Sequence, residues 1–329
     1  MATKKTKKLG HGVQSLEQKA MMAGDIAIQM IGNDLHINEA FGDAGEDQQV
    51  QIYSLGNNRI RVQGLGETDI AQASGNGWMQ MGASDYIDLT VTGDINVNLG
   101  EGNDSLTMPS WNGGVRADQL TVNMGGGADR VSLTGVTTRQ ELHVNTGAGN
   151  DDVTVSSATV GDSSWEDLEI RTGSGADSVR VLGSNVRDDV IVEMYENVWE
   201  NDADRLTVGS NTAKDIKADM GNGRDTASIT SNDIRYNIDL DLGYDHGDNN
   251  DNDYAYLGHN DVDGRVDIDG DDGNDVVRAA FNDVEGEFEF NGDSGTDYFY
   301  AWFASQGQDS NDVGNYDINS AGFRTYGYA

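Results

Sequence analysis

The chain has 329 residues, 36% hydrophobic content, 43 Gly, a single Pro and no Cys. Its formal charge of −36 argues against a nucleic-acid partner, because phosphate neutralisation needs a basic face. Without Cys there are no disulfides, thiolate metal sites or thiol nucleophiles.

Residues 1–24 open with the basic run KKTKKLGHG, and residues 1–20 carry about +4 against about −40 for the rest. No signal-peptide core of roughly 7–15 apolar residues follows, and no apolar run approaches a membrane span. This segment reads as a basic tail or an export or sorting segment. Next come GDIAIQMIGNDLHINEAFGD and NNRIRVQGLGETDIAQASG, which alternate apolar and polar residues but space irregularly. They could form early coils or antiparallel hairpins that cap a stack, and a cap is needed because an open sheet edge invites association.

One short unit then recurs: LGEGNDSLTM, MGGGADRVSL, TGAGNDDVTV, TGSGADSVRV and MGNGRDTASI each read Gly-x-Gly-x-Asp-x-apolar-x-apolar. With degraded copies included, the anchor aspartates fall at 47, 69, 85, 104, 129, 151, 177, 204, 225, 253, 275 and 297. Their average step of about 23 residues is the period of a solenoid coil. Each period holds two alternating runs, such as Val131 and Leu133, then Leu142 and Val144, and period two is the mark of a strand with one buried face. A small corner signal lies between the runs at Asn185-Val186, Asn232-Asp233-Ile234, Asn260-Asp261-Val262 and Asn282-Asp283-Val284. The pattern predicts an all-β, right-handed parallel β-solenoid of about twelve coils over residues 25–304, with the hand taken from the right-handed preference of crossovers. Residues 305–329 read as a last irregular coil or cap.

The glycine turns admit three chemistries. A phosphate loop fails on context, since GGGAD runs into the alternating strand Arg130-Val131-Ser132-Leu133 rather than a helix. An EF-hand fails too: Asp267, Asp269 and Asp271 are spaced correctly, but Asp272 stands where Gly is needed and Arg278 where Glu is needed. Calcium between coils has a mechanism. Stacking brings equivalent carboxylates to about 5 Å, where they repel by about 3 kcal/mol at an effective dielectric of 20, and a divalent cation reverses that sign. Glycine turns can offer carbonyl oxygens at positive φ without strain. The candidate ligands are Asp47, Asp104, Asp129, Asp151, Asp177, Asp225, Asp253, Asp275 and Asp297. The candidate carbonyl turns contain Gly100, Gly102, Gly125, Gly127, Gly147, Gly149, Gly173, Gly175, Gly221, Gly223, Gly273 and Gly295. Asp69, Asp85 and Asp204 lack the paired glycines. The alternative is that each Asp makes an Asx-type turn and Gly only permits the corner.

The unit resembles the nonapeptide of haemolysin-type (RTX) calcium-binding repeats, with GDDGNDVVR at 270–278, GDSGTDYFY at 292–300 and MGGGADRVS at 124–132 coming close to it. The resemblance implies Ca2+ bound between coils by the aspartate and the turn carbonyls. The family repeats every nine residues, so two such turns close each coil, whereas here one turn serves about 23 residues and sites would line one edge only. The stretch Leu16-Glu17-Gln18-Lys19-Ala20-Met21-Met22-Ala23-Gly24-Asp25 resembles the sorting motif of secreted repeat proteins of planctomycete-type bacteria, with Lys19 for the usual Arg. It implies export.

The expected function is therefore that of a secreted, acidic, calcium-binding β-solenoid, structural or adhesive at the cell surface or in extracellular matrix, and not an enzyme. Self-association is a further expected partnership. One alternative is a polysaccharide-binding module using Trp111, Trp165, Trp199, Trp302, Tyr298 and Tyr300 as exposed rings. A β-helix polysaccharide lyase is the other, although carboxylates everywhere in register suit a ladder better than a unique site, and His11, His36, His143, His246 and His259 are scattered.

Overall fold

A computed structural model describes residues 25–40, 45–75, 78–81, 84–163, 165–195, 202–243, 251–302, 316–320 and 324–328. The basic tail and the sorting-like motif, apart from Asp25, lie outside the described residues, as do His246 and Trp199.

The alternating runs become strands, and successive periods pair in parallel. Each coil contributes a strand to three walls in turn. The first complete coil is Ser105–Met108, Arg116–Ala117 and Leu120–Asn123; the last is Val276–Ala280, Asp283–Val284 and Phe288–Gly295. Wall 1 and wall 3 are long, and wall 2 is built of two-residue strands. Registers are matched, so Val131, Val153 and Val179 stack on wall 1 and Val122, Val144 and Ile170 on wall 3. These inward residues form one continuous core, and their neighbours face out. No single coil could bury such a face alone, so each coil depends on the next. Among the described residues the sole helical piece is a single 3-10 turn, Trp111–Gly113.

The β-solenoid is as expected, but the described residues form eight three-walled coils rather than about twelve. The anchors Asp47, Asp69 and Asp85 fall instead within a cap of antiparallel pairs and one parallel pair, Ile26–Ile31 with Ile70–Gly75. Ile26–Ile31 folds back on Asp34–Glu39, and Gln49–Gly56 on Arg59–Gly64, which pairs in turn with Tyr86–Thr90. The physical reason is in the turns: Asn57 and Asn58 both adopt positive φ (56° and 58°), the geometry of a tight hairpin rather than a coil corner. Asp34–Glu39 and Gln49–Gly56 then offer their free edges, in parallel, to Ile95–Asn98 and Ser105–Met108, where the solenoid starts. At the other end, the described parts of residues 305–329 are two strands. Tyr316–Ser320 and Arg324–Tyr328 continue walls 3 and 1 in parallel.

Candidate functional site: a buried carboxylate column

Asp104, Asp129, Asp151, Asp177, Asp204, Asp225, Asp253, Asp275 and Asp297 form one column at the corner between walls 3 and 1, each at most 3% exposed. Strand parity explains the burial. Asp129 stands two residues before Val131 and four before Leu133, so it shares their inward face. The aspartates expected to line an edge therefore point into the corner.

The column is linked by its own backbone. The N–H of Asp104 donates to Asp129 Oδ1 at 2.7 Å, and the N–H of Asp129 to Asp151 Oδ1 at 2.8 Å. The same bond repeats through Asp177, Asp204, Asp225, Asp253, Asp275 and Asp297 at 2.6–3.1 Å. Rung-to-rung separations run from 21 to 28 residues, so the column tolerates coils of unequal length. At the capped end the donor is the N–H of buried Gln48, 2.6 Å from Asp104 Oδ1. Asp47 is thus outside the column, a correction to the sequence assignment. It is exposed and accepts the N–H of Asn103 at 2.7 Å. Asp204, set apart in sequence because no paired glycines precede it, is a full rung, so the aspartate and not the glycine defines the register.

The second carboxylate oxygen is the unusual feature. Oδ2 of Asp104, Asp129, Asp225 and Asp275 is buried and has no hydrogen-bond partner. Burial pushes these groups up, to about 8 for Asp104, about 7 for Asp129, about 9 for Asp225 and about 8 for Asp275, with the backbone N–H opposing and neighbouring carboxylates adding to the rise. Asp253 rises to about 7 for the same first reason. Asp151 and Asp177 also rise through burial, with the Thr146 and Thr172 hydroxyls acting in the opposite sense.

The glycines serve close stacking. A Cβ on Gly125 would lie 1.6 Å from the Gly100 oxygen, and one on Gly127 1.7 Å from the Gly102 oxygen, at φ of +103° and +137°. The same approach to the preceding coil recurs at Gly147, Gly149, Gly173, Gly175, Gly223, Gly273 and Gly295, while a Cβ on Gly221 would meet the Tyr195 side chain. The carbonyl oxygens of Gly100 and Gly125 accept the N–H of Gly126 and Ala148 from the next coil. Calcium fits this corner in donor chemistry, because unpartnered carboxylate oxygens are the hard ligands it takes. Oδ1 and those two carbonyls already serve the coil-to-coil bonds.

Two further columns mark the other corners. Between walls 1 and 2, buried Asn211, Asn232, Asn260 and Asn282 stack. Asn232 accepts the N–H of Asn211 at 2.9 Å and donates from Nδ2 to the Val208 carbonyl at 3.1 Å and to Asn260 Oδ1 at 2.9 Å. Between walls 2 and 3, an acid precedes the first buried residue of several strands: Asp94, Asp167, Asp189 and Asp215. Oxygens of Asp167, Asp188 and Asp189 come within 4.8 Å of one another, a cluster that the sequence reading missed although Asp-Ile, Asp-Leu and Asp-Val recur there. Lysines already face it, with Lys214 Nζ 2.6 Å from Asp188 and Lys217 Nζ 2.5 Å from Asp189.

Comparison with protein-family models, curated proteins and solved structures finds no match. The remaining sequence candidates fall at separate places. His143 is held between Glu141 at 2.8 Å and Glu169 at 2.6 Å on the outer face of wall 3, and His259 stacks on Phe281 at 5.0 Å. Asp267 and Asp269 lie on a regular strand, Val266–Asp269, and form no EF-hand loop. Trp165 is 80% exposed and Trp111 53%, with Trp111 edge-on to Tyr53. Tyr298 and Tyr300 stack on the outer face of wall 1.

Proposed function

We propose that this chain is a secreted, acidic, calcium-binding β-solenoid with a structural or adhesive role at the cell surface or in matrix, and not an enzyme. The observation that carries the reading is the buried carboxylate column, with unpartnered Oδ2 atoms at Asp104, Asp129, Asp225 and Asp275. Carboxylates one strand spacing apart in a desolvated corner cannot all ionise unless cations balance them. Protons do this at acid pH. At neutral and alkaline pH a divalent cation supplies the balancing charge when bound, and Asp104, Asp129, Asp151, Asp177, Asp225, Asp253, Asp275 and Asp297 are the residues that would hold it. Such loosely built oxygen sites suit the weak, roughly 10⁻⁴–10⁻³ M range of extracellular calcium modules.

The test is calcium titration calorimetry at pH 7.5 in two buffers of different ionisation enthalpy. Binding to a protonated column releases protons, so the apparent heats differ between buffers. Absence of any calcium heat at millimolar concentration rejects the metal role and leaves a proton-balanced scaffold.

A further inference from the structure

The outer faces of the two long walls differ in charge. On wall 1, from Ser105–Met108 to Tyr298–Trp302, the outward described side chains include one carboxylate, Asp152, against four guanidinium groups, Arg130, Arg180, Arg205 and Arg278. In a chain of net charge −36 this face is an island of positive sign. Arg130 and Arg180 are paired with Asp152. Arg205 is exposed and has no ion pair among the described residues. Arg278 is exposed and lies 5.5 Å from the centres of the Tyr254 and Tyr300 rings. Wall 3 is the reverse. Four of its strands, Val190–Glu193 to Val266–Asp269, present Glu193, Asp219, Asp239, Asp241, Asp267 and Asp269 outward around an open groove of about 500 Å³, with Lys217 and Arg265 as the cations in it and Arg265 paired with Asp239 and Asp267.

Both faces are laid out on the same strand spacing, because both belong to the same coils. Walls 1 and 3 enclose the common core, so their outer faces look away from one another. A second copy therefore finds on wall 3 a surface whose charge complements wall 1 and whose ladder has the same period. Full overlap of nine strands at about 4.8 Å, each about 16 Å long, covers roughly 700 Å² per copy, close to the roughly 800 Å² per partner of a standard interface. We infer that wall 1 of one copy docks on wall 3 of another. This contact uses different surfaces on the two copies and does not close on itself, so it propagates as an open array. Net repulsion between copies is long-ranged and is screened at 0.15 M salt, where the Debye length is about 8 Å, while pairs in contact persist.

Sedimentation velocity of the full chain, in chelator so that calcium plays no part, tests this. At 0.15 M salt the weight-average sedimentation coefficient rises with protein concentration, and at about 1 M salt, where the Debye length is about 3 Å, it returns to the monomer value. The double variant Arg205→Glu/Arg278→Glu weakens association at least tenfold, and adding Asp239→Lys/Asp267→Lys restores it. Circular dichroism melts confirm that each variant is folded; the two arginines are exposed, so their reversal spares the core. A monomer at every salt concentration, or association that ignores both charge reversals, overturns the inference. Failure here leaves the calcium reading untouched, because no calcium is present in the assay.

Discussion

Replacing Asp225 by Asn isolates the cost of a buried carboxyl. Asp225 is 1% exposed, its Oδ1 accepts the N–H of Asp204 at 2.7 Å, its Oδ2 has no partner, and burial pushes its pKa to about 9 from an ordinary 3.8. A folded pKa raised in this way gives stability that is fully present below 3.8 and is lost as pH rises toward and through about 9. The loss runs at about 1.4 kcal/mol per pH unit, or about 4 kcal/mol by pH 7. The amide keeps the Oδ1 acceptor but buries an Nδ2 donor, at a cost of about 1–3 kcal/mol that does not vary with pH. In chelator, the variant is therefore less stable than the parent near pH 4 and more stable at pH 7.5, with the crossing between about pH 4.5 and 6. Urea unfolding at a series of pH values reads this directly. If the variant is less stable throughout, or the two pH slopes are equal, Asp225 is ionised in the folded chain and the reasoning fails.

Three other outcomes follow from the same geometry. Gly125→Ala places a Cβ 1.6 Å from a carbonyl oxygen at φ +103°, whereas Gly183→Ala, at φ +59°, meets nothing within 4 Å. Thermal melts should show the first costing more than 3 kcal/mol and the second only about 1 kcal/mol of left-handed strain. Asn232→Ala strands the Asn211 N–H and the Val208 carbonyl in a buried corner and should cost about 2–4 kcal/mol in urea unfolding. In the parent chain without calcium, stability should fall steadily from pH 5 to pH 8.5, since Asp104, Asp129, Asp225, Asp253 and Asp275 shift upward; a flat profile would show that they are ionised and paired.

Much of the fold was legible because a solenoid writes its period into the chain. The Asp step and the two alternating runs located walls 1 and 3, whereas the Asn-x-apolar signal was legible only as a corner and not as a third, short wall. The coil count came out too high because Asp47, Asp69 and Asp85 mimic the spacing while Asn57 and Asn58 form a hairpin turn. That distinction rests on backbone twist rather than on hydrophobic pattern. The column itself was legible as a row of aspartates but not as a buried one. Parity with Val131 and Leu133 held that information, and the resemblance to calcium repeats drew attention to the turn instead. The paired glycines illustrate a different limit: their reason is the carbonyl of the coil beneath, a contact that exists only once the register is known. The acids before the wall 3 strands, Asp167, Asp189 and Asp215, carried a similar dipeptide signal that the glycine motif overshadowed.

The central claim is that a buried, cation-balanced carboxylate column sets the stability of the solenoid. A thermal melt at pH 8 in chelator and again in millimolar calcium tests it most directly. The account predicts a clear rise in melting temperature with calcium that grows with its concentration and shrinks as pH is lowered toward 5, where protons hold the column. Identical melts with and without calcium at pH 8 would contradict it.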